Sequence, residues 1–524
     1  MMKCPQVSQH SVYLFYPFYF ESTTQSTVRN NVLEKIEALK ISDVIDALYL
    51  PDKLKERLSE KKLKDKKVWE KTTVKLSTDL HEHLRRILTS ETEGAQDQES
   101  TYFSGYTPFK LTTEFENLLT GDWGKFGKGL KIKLAKSAMK RLNIDNQHVP
   151  VWLRGIDIYF FGMGVGILLV HISYIAPGKE KPSQQPTPEL IIESNYAISR
   201  TGKQACQLQW VEQNETKDFI LEEIIESLVP MLKPETTDNK YLKVKKDWNR
   251  LFMYTVVQFA GRFTDSRDRV ELAYRLGKKY TEDYLPLEEL MDNGIITPFE
   301  NIIHGVNLEG GVVLVEQVGK TGNEIEFLKT FANDKVKMVY LPLALIAFQE
   351  YLTLLKMTQG IFLPIDFHNP TENARRILEN QQDELLDFRL NYRFSHASKI
   401  TMHNLVYEKW REVLSLDKMQ EEITQDVKEV EAFLNYKQEK LHSRRWEKVS
   451  RIQTILGIFF GTLVFLTGFF GMNFNELNNI DWNSKITIIV SAVSIFIGIT
   501  MAVIYTVFAV KFRIDKGEKR KAGE

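Results

Sequence analysis

Two rhythms of apolar and polar positions divide this chain of 524 residues. Up to about Trp410, short apolar runs alternate with polar stretches, as strands and helices of a folded domain would require. From Leu416 the rhythm lengthens. Leu416, Met419, Ile423, Val427, Val430, Leu434 and Leu441 recur at heptad-like steps between charged residues. No Gly or Pro interrupts the chain until Gly457, which predicts one helix from Leu416 through Phe470, roughly 80 Å at 1.5 Å per residue. Inside that helix, charge stops at Ile452. Ile452–Phe470 and Ile486–Val510 give about nineteen and about twenty-five charge-free residues, each enough to cross a hydrocarbon core of roughly 30 Å.

The earlier part predicts an α/β domain. Val12–Phe20 reads as a first strand; it is too short and aromatic for a signal peptide and lacks a small-residue cleavage site. Asn30–Thr89 reads as largely helical with a break at Pro51, Thr89–Ser100 as a loop, and Lys125–Arg141 as a basic helix. Gly162, Gly164 and Gly166 lead into Ile167–Ile172, a second strand, so they fit a hairpin rather than a phosphate loop, which opens a helix. Ala176–Pro188 reads as an exposed loop and Gly311–Val318 as a strand. Met338–Leu355 is apolar enough to resemble a span, but Pro342, Gln349 and Glu350 point to a core helix. Alternation of both element types places helices on a sheet.

The flanks of the two C-terminal runs orient them. Arg444, Arg445, Lys448 and Arg451 precede the first; Lys511, Arg513, Lys516, Lys519, Arg520 and Lys521 follow the second. Basic flanks stay in the cytoplasm, so both ends of the chain are expected there. The first run also carries a stripe: Ser443, Glu447, Ser450, Gln453, Gly457, Gly461, Val464, Gly468 and Gly471 recur at steps of three and four. That face is small or polar, and the opposite one carries Ile455, Phe459, Leu466 and Phe470. Small residues let membrane helices pack closely, which already implies assembly with other copies. Turned inward by several copies, the same stripe would line a pore.

Composition narrows the picture little. Formal net charge is zero and the pI is about 7.2, so no basic excess suggests a nucleic-acid partner. Mean hydropathy is −0.27, in keeping with a large water-soluble part before the apolar hairpin. Cys4 and Cys206 are the cysteines, too few for a disulfide framework and suited to a reducing compartment. His81 and His83, two apart, do not share a helix face and make a poor metal pair. Arg389 and Arg393, one helical turn apart with Tyr392 beside them, could seat an anionic nucleotide or form the amphipathic side of a helix. No nucleophile elbow, zinc-protease helix, phosphate loop or metal-ligand cluster is present, so no enzyme activity is expected.

The first run ends in Thr467-Gly468-Phe469-Phe470-Gly471-Met472-Asn473-Phe474. Gly-Met-Asn at the outer end of the first of two C-terminal spans, behind a long charged helix and before a basic tail, resembles the CorA-type magnesium and cobalt transporters. The resemblance covers about the last hundred and ten residues; over the rest it is one of architecture. It implies an α/β cytoplasmic domain, a long stalk helix and two transmembrane helices, assembled as a CorA-like funnel-shaped homopentamer in the inner membrane. The expected divisions are a cytoplasmic domain over 1–410, a stalk over 411–451, a pore-lining span over 452–473, an outer loop over 474–485, a second span over 486–510 and a basic tail over 511–524. Pore and selectivity residues would be Gln453, Gly457, Gly461, Val464, Gly468, Gly471, Met472 and Asn473. Magnesium sheds its water reluctantly, and an amide oxygen can hold hydrated ions without trapping them.

Three departures stand out. Some 450 residues precede the spans. Gly461 and Val464 stand where many members have Met or Thr. The family gates by divalent ions held between cytoplasmic domains by carboxylates; Asp417, Glu421, Asp426 and Glu429 are the candidates here, alongside a reading as plain stalk acids. The resemblance implies a multi-pass channel for divalent cations, with Mg²⁺ as cargo or regulator. The enlarged domain also resembles CorA-like proteins that accompany type III CRISPR systems, which implies an alternative: an antiviral effector whose pore answers to a nucleotide second messenger.

Overall fold

Strand β1 (Val7–Phe20) is apolar on both faces from Val12 to Tyr19, as a central strand covered on both sides must be. It pairs antiparallel with β6 (Val165–Tyr174) on one side and β10 (Phe252–Phe259) on the other. Pro17, which cannot donate to a ladder, falls between the last β10 pair at Phe15 and the first pair with β9 (Leu242–Lys243) at Tyr19. The computed structural model describes residues 4–20, 34–48, 63–72, 75–88, 109–120, 129–145, 148–161, 163–176, 185–200, 208–212, 215–219, 221–229, 242–243, 251–281, 287–361, 372–471, 483, 486–498, 501 and 505.

Among these, thirteen strands join in one sheet. Besides β1, β6, β9 and β10 they are β2 (Trp69–Lys71), β3 (Phe109–Leu111), β4 (Gly129–Lys133), β5 (His148–Phe161), β7 (Leu208–Glu212), β8 (Glu215–Phe219), β11 (Ile295–Phe299), β12 (Ile302–Asn307) and β13 (Gly310–Glu316). The main order is β11-β12-β13-β10-β1-β6-β5-β4-β7-β8. Pairing is antiparallel except between β10 and β13. β5 and β6 form the hairpin that the glycine pattern predicted: Gly164 turns the chain at φ 71°, and Gly166 leaves room for the Phe18 ring.

Helices cover both faces. In chain order they are α1 (Ile41–Ala47), α2 (Glu82–Leu88), α3 (Thr113–Thr120), α4 (Lys136–Leu142), α5 (Pro188–Ser199), α6 (Leu221–Leu228), α7 (Ser266–Lys278), α8 (Glu288–Asp292) and α9 (Gly322–Phe331). A π-helical segment, Ala332–Tyr340, then leads into α10 (Leu341–Ile361), followed by α11 (Glu372–Asn391), α12 (Thr401–Val413) and α13 (Leu416–Gly471). α14 is Ile486–Gly498. α5, capped by Thr187 with Pro188 at its first turn, and α7 lie against the face carrying Val12, Leu14, Val170 and Val257. α10 and α12 lie on the other face, where Phe348 meets Phe15 and Phe252, and Trp410 meets Phe252 and Tyr254.

Two expectations are corrected. The stretch 30–89 is not largely helical where described: β2 stands between α1 and α2, because Trp69 is buried, pairs with Leu111 and donates its indole N–H to the Leu228 carbonyl at 3.0 Å. The basic run Lys125–Arg141 is a strand before it is a helix. Leu130 and Ile132 alternate with lysines, and β5 and β7 offer hydrogen bonds on both edges of β4. The expected loop at 89–100 lies outside the described residues. Met338–Leu355 is a core helix: the run Gly322–Gln359 is, among the described residues, long and apolar enough to cross a membrane, yet 83% of its most apolar stretch is buried inside the protein.

The chain divides into two compact units, Met1–Ile365 with Arg376–Val427, and Asp366–Arg375 with Lys428–Glu524.

Candidate functional site

Helix α13 runs unbroken from Leu416 to Gly471, as the absence of Gly and Pro in its first forty residues predicts. Its first turns belong to the larger unit. Leu416, Ile423 and Val427 are buried there. A charged cluster fixes the entry. Arg411 on α12 donates to Glu350 of α10 at 2.5 Å and to Asp417 at 2.7 Å; the Tyr407 hydroxyl donates to Glu350, and Arg393 donates to Asp417 at 3.2 Å. Burial pushes the Glu350 carboxyl up to about 7, against the pull of Arg411. Burial also opposes the charge on Arg411, but Glu350, Tyr407 and Asp417 together outweigh it and hold the guanidinium above its usual range. Burial would raise Asp417 as well; its bonds from Arg411 and Arg393 keep it low.

Beyond Lys428 the helix changes character. Arg444, Arg445, Lys448 and Arg451 are exposed. The apolar end that follows is exposed too: Phe459 at 57%, Phe460 at 59% and Val464 at 70%. Ile486, Val490, Ile495 and Ile497 of α14 are likewise exposed, and the two helices meet through the stacked rings of Phe465 and Phe496, 5.0 Å apart. A contiguous apolar surface of this kind marks a membrane or partner contact. Along the stripe, Gly457, Gly461 and Gly468 have nothing within 4 Å of where a Cβ would stand, and Gln453 is exposed. Gly471 is the last residue of α13; Met472 and Asn473 lie outside the described residues.

The other expected residues are placed differently from one another. α11 ends at Asn391, where the N–H groups of Tyr392 and Arg393 both turn back to the Phe388 carbonyl, so Arg389 and Arg393 do not sit on successive turns of one helix. The Tyr392 ring is buried, Arg389 is exposed and Arg393 is held by Asp417. Glu421 and Asp426 are exposed on α13. Among the described residues, no three His, Cys, Asp or Glu side chains are grouped to hold a metal ion within one chain. The Arg411–Glu350 pair is the part of this region that sequence reading missed. Its signal was present, in a lone Glu350 on an otherwise apolar helix, because a buried carboxyl demands a partner.

Comparison with known proteins supplies one match. Residues 371–511 match the family model described as CorA-like Mg2+ transporter protein. No curated protein and no solved structure matches the chain.

Proposed function

From the premise that residues 371–511 are a CorA-like Mg2+ transporter domain, which implies a membrane-embedded divalent cation transporter, we propose that the chain is a channel for divalent cations, Mg²⁺ above all, opened and closed by its larger unit. In this reading α13 and α14 cross the bilayer, both ends of the chain face the cytoplasm, and five copies of α13 turn the stripe from Gln453 to Gly468 toward a common axis. The carrying observation is the exposed apolar hairpin whose one glycine face meets open space. A ring of Asn473 amides at the outer lip would gather hydrated ions before they enter. Channels need sites that are favourable enough to enter and weak enough to leave, and neutral amides meet both demands.

The test is Mg²⁺ uptake into liposomes. Asn473→Ala should lower flux at least tenfold while the oligomer keeps its size; wild-type flux in that variant would remove the amide ring from the pathway. Gly461→Phe should narrow the path and lower flux without changing assembly.

A second reading keeps the pore and changes the signal: a nucleotide second messenger acts on the soluble unit, as in the CRISPR-associated CorA-like proteins. The size of the part of the chain preceding α13 favours this form of gating.

A further inference from the structure

One half of the sheet face beneath α10 is not apolar. On β5, Leu153, Ile156 and Ile158 enter the core, while Trp152, Arg154 and Asp157 stand on the opposite side. Arg154 and Asp157 are three apart and would fall on opposite faces of a regular strand. The register shift between Leu153 and Gly155 adds one residue and brings them to the same side. Lys110 of β3, Tyr13 of β1 and His171 of β6 share that side. The π-helical segment closes the space from above with Asn333 and Lys337, and a hydrogen bond of 3.1 Å from Gln9 to Asn333 ties it to β1. Single π-helical turns inside helices are frequent at functional sites. The cavity, open to solvent on one side, has a volume of about 520 Å³, well within the range of small-molecule sites.

The chemistry of the walls is specific. Lys110, Arg154 and Lys337 bring three cations against the carboxyls of Asp157 and Glu116. Among the described residues, the side chains of Lys110, Lys337 and Asp157 make no hydrogen bond or salt bridge. Arg154 lies over the Trp152 ring, 3.3 Å from its centroid. Tyr13 and His171 stack at 4.4 Å and 17°, and the buried Nε2 of His171 has no hydrogen-bond partner among the described residues. Burial lowers Lys337, and Arg154 and Lys110 lower it further. A lysine depressed by neighbouring cations in this way is relieved by an anion. A metal ion does not suit the set: two carboxyls face three cations, and no three metal-ligating side chains gather there among the described residues.

We propose that this cavity binds a small anion carrying a flat heteroaromatic ring, of the size of a phosphorylated nucleoside. Arg154 and Lys337 hold the anionic group, the Tyr13–His171 pair lies along the ring, and Asp157 accepts an N–H from an exocyclic amine on that ring. The inference deepens, and rests on, the reading in which a nucleotide gates the pore. The π-helical segment runs directly into α10, whose Glu350 holds Arg411 beside the first turn of α13. Binding at Lys337 therefore has a packed route to the stalk.

The experiment is titration calorimetry on the full-length protein in detergent, with AMP, adenosine and inorganic phosphate as probes. AMP should saturate below ~1 mM, at least tenfold tighter than either adenosine or phosphate. Arg154→Gln and Lys337→Gln should each weaken AMP at least tenfold with the thermal unfolding midpoint little changed, and Lys337→Arg should restore much of the affinity. Should Arg154→Gln fail to fold, the Lys337 pair still decides. No saturation by AMP, equal affinity for phosphate or adenosine, or wild-type affinity in the Lys337→Gln protein would overturn the site. AMP that binds in the cavity and leaves Mg²⁺ flux unchanged would sink nucleotide gating while the site stands.

Discussion

Helix α10 and the end of α13 are built from the same kinds of residue, yet they meet opposite surroundings. In α10, Leu343, Leu345, Ile346 and Phe348 are buried against the sheet, and a carboxyl sits among them with its own guanidinium and phenol. In α13, Ile455, Phe459, Phe460 and Val464 are exposed, and no described acid or base interrupts them. The difference lies in what each can afford to bury. A soluble core tolerates a polar group when a neighbour supplies the hydrogen bond. A helix surrounded by lipid has no such neighbour, so its side chains stay neutral and the smallest are kept for contacts between helices. Hydrophobicity alone therefore does not tell which apolar helix the core will bury; the company of Glu350 does.

A charge inserted in each helix tests this contrast most severely. Phe348→Asp should prevent folding of the larger unit, since it loses a buried aromatic, worth about 3–5 kcal/mol as a truncation, and adds an unpaired carboxylate. Phe460→Asp should leave the thermal unfolding of that unit unchanged and instead weaken membrane insertion, by about 2.5–3.5 kcal/mol for a charge at mid-span. If Phe460→Asp unfolds the protein in detergent as Phe348→Asp does, the contrast is false.

A smaller effect is expected from the pair itself. Arg411→Ala leaves Glu350 buried without its guanidinium and should cost about 3 kcal/mol, measured by chemical denaturation. The value sits at the low end because Glu350, already raised to about 7, can take up a proton. The loss should therefore shrink at pH 5 relative to pH 8; a loss independent of pH would mean that Arg411 acts through packing alone.

The smallest effect concerns the cavity. Burial raises Asp157 to about 7, against Lys110 and Lys337. Between about pH 4 and pH 7 the unfolded chain has lost this proton and the folded chain keeps it, so the contribution is full below that window and fades as pH rises through it. Asp157→Asn should gain stability relative to wild type by about a few degrees across the window. Parallel melting curves for the two proteins from pH 4 to pH 7 would contradict the assignment.

Much of the architecture was legible in the chain. The long helix, the β5–β6 hairpin around Gly164 and the core character of Met338–Leu355 all followed from period and punctuation. The errors have a common cause. At 30–89 and 125–141 the lysines hid short strands, because a strand with one wet face needs only two or three apolar residues, and pairing with neighbours completes it. Arg389 and Arg393 are one helical turn apart in the chain, and nothing local announces the helix end at Asn391 that separates them.

The cavity was not legible for a different reason. Arg154 and Asp157 lie three apart, and a bulge that depends on pairing with β6 brings them together. Lys337 stands 180 positions from Asp157 in the numbering and reaches it only across the fold. The chain on its own determined where charge is forbidden and where glycine must recur, since those are properties of consecutive residues and their spacing. Which charged groups face one another was decided by the tertiary structure alone, because sheet register and helix packing join positions that no local period connects.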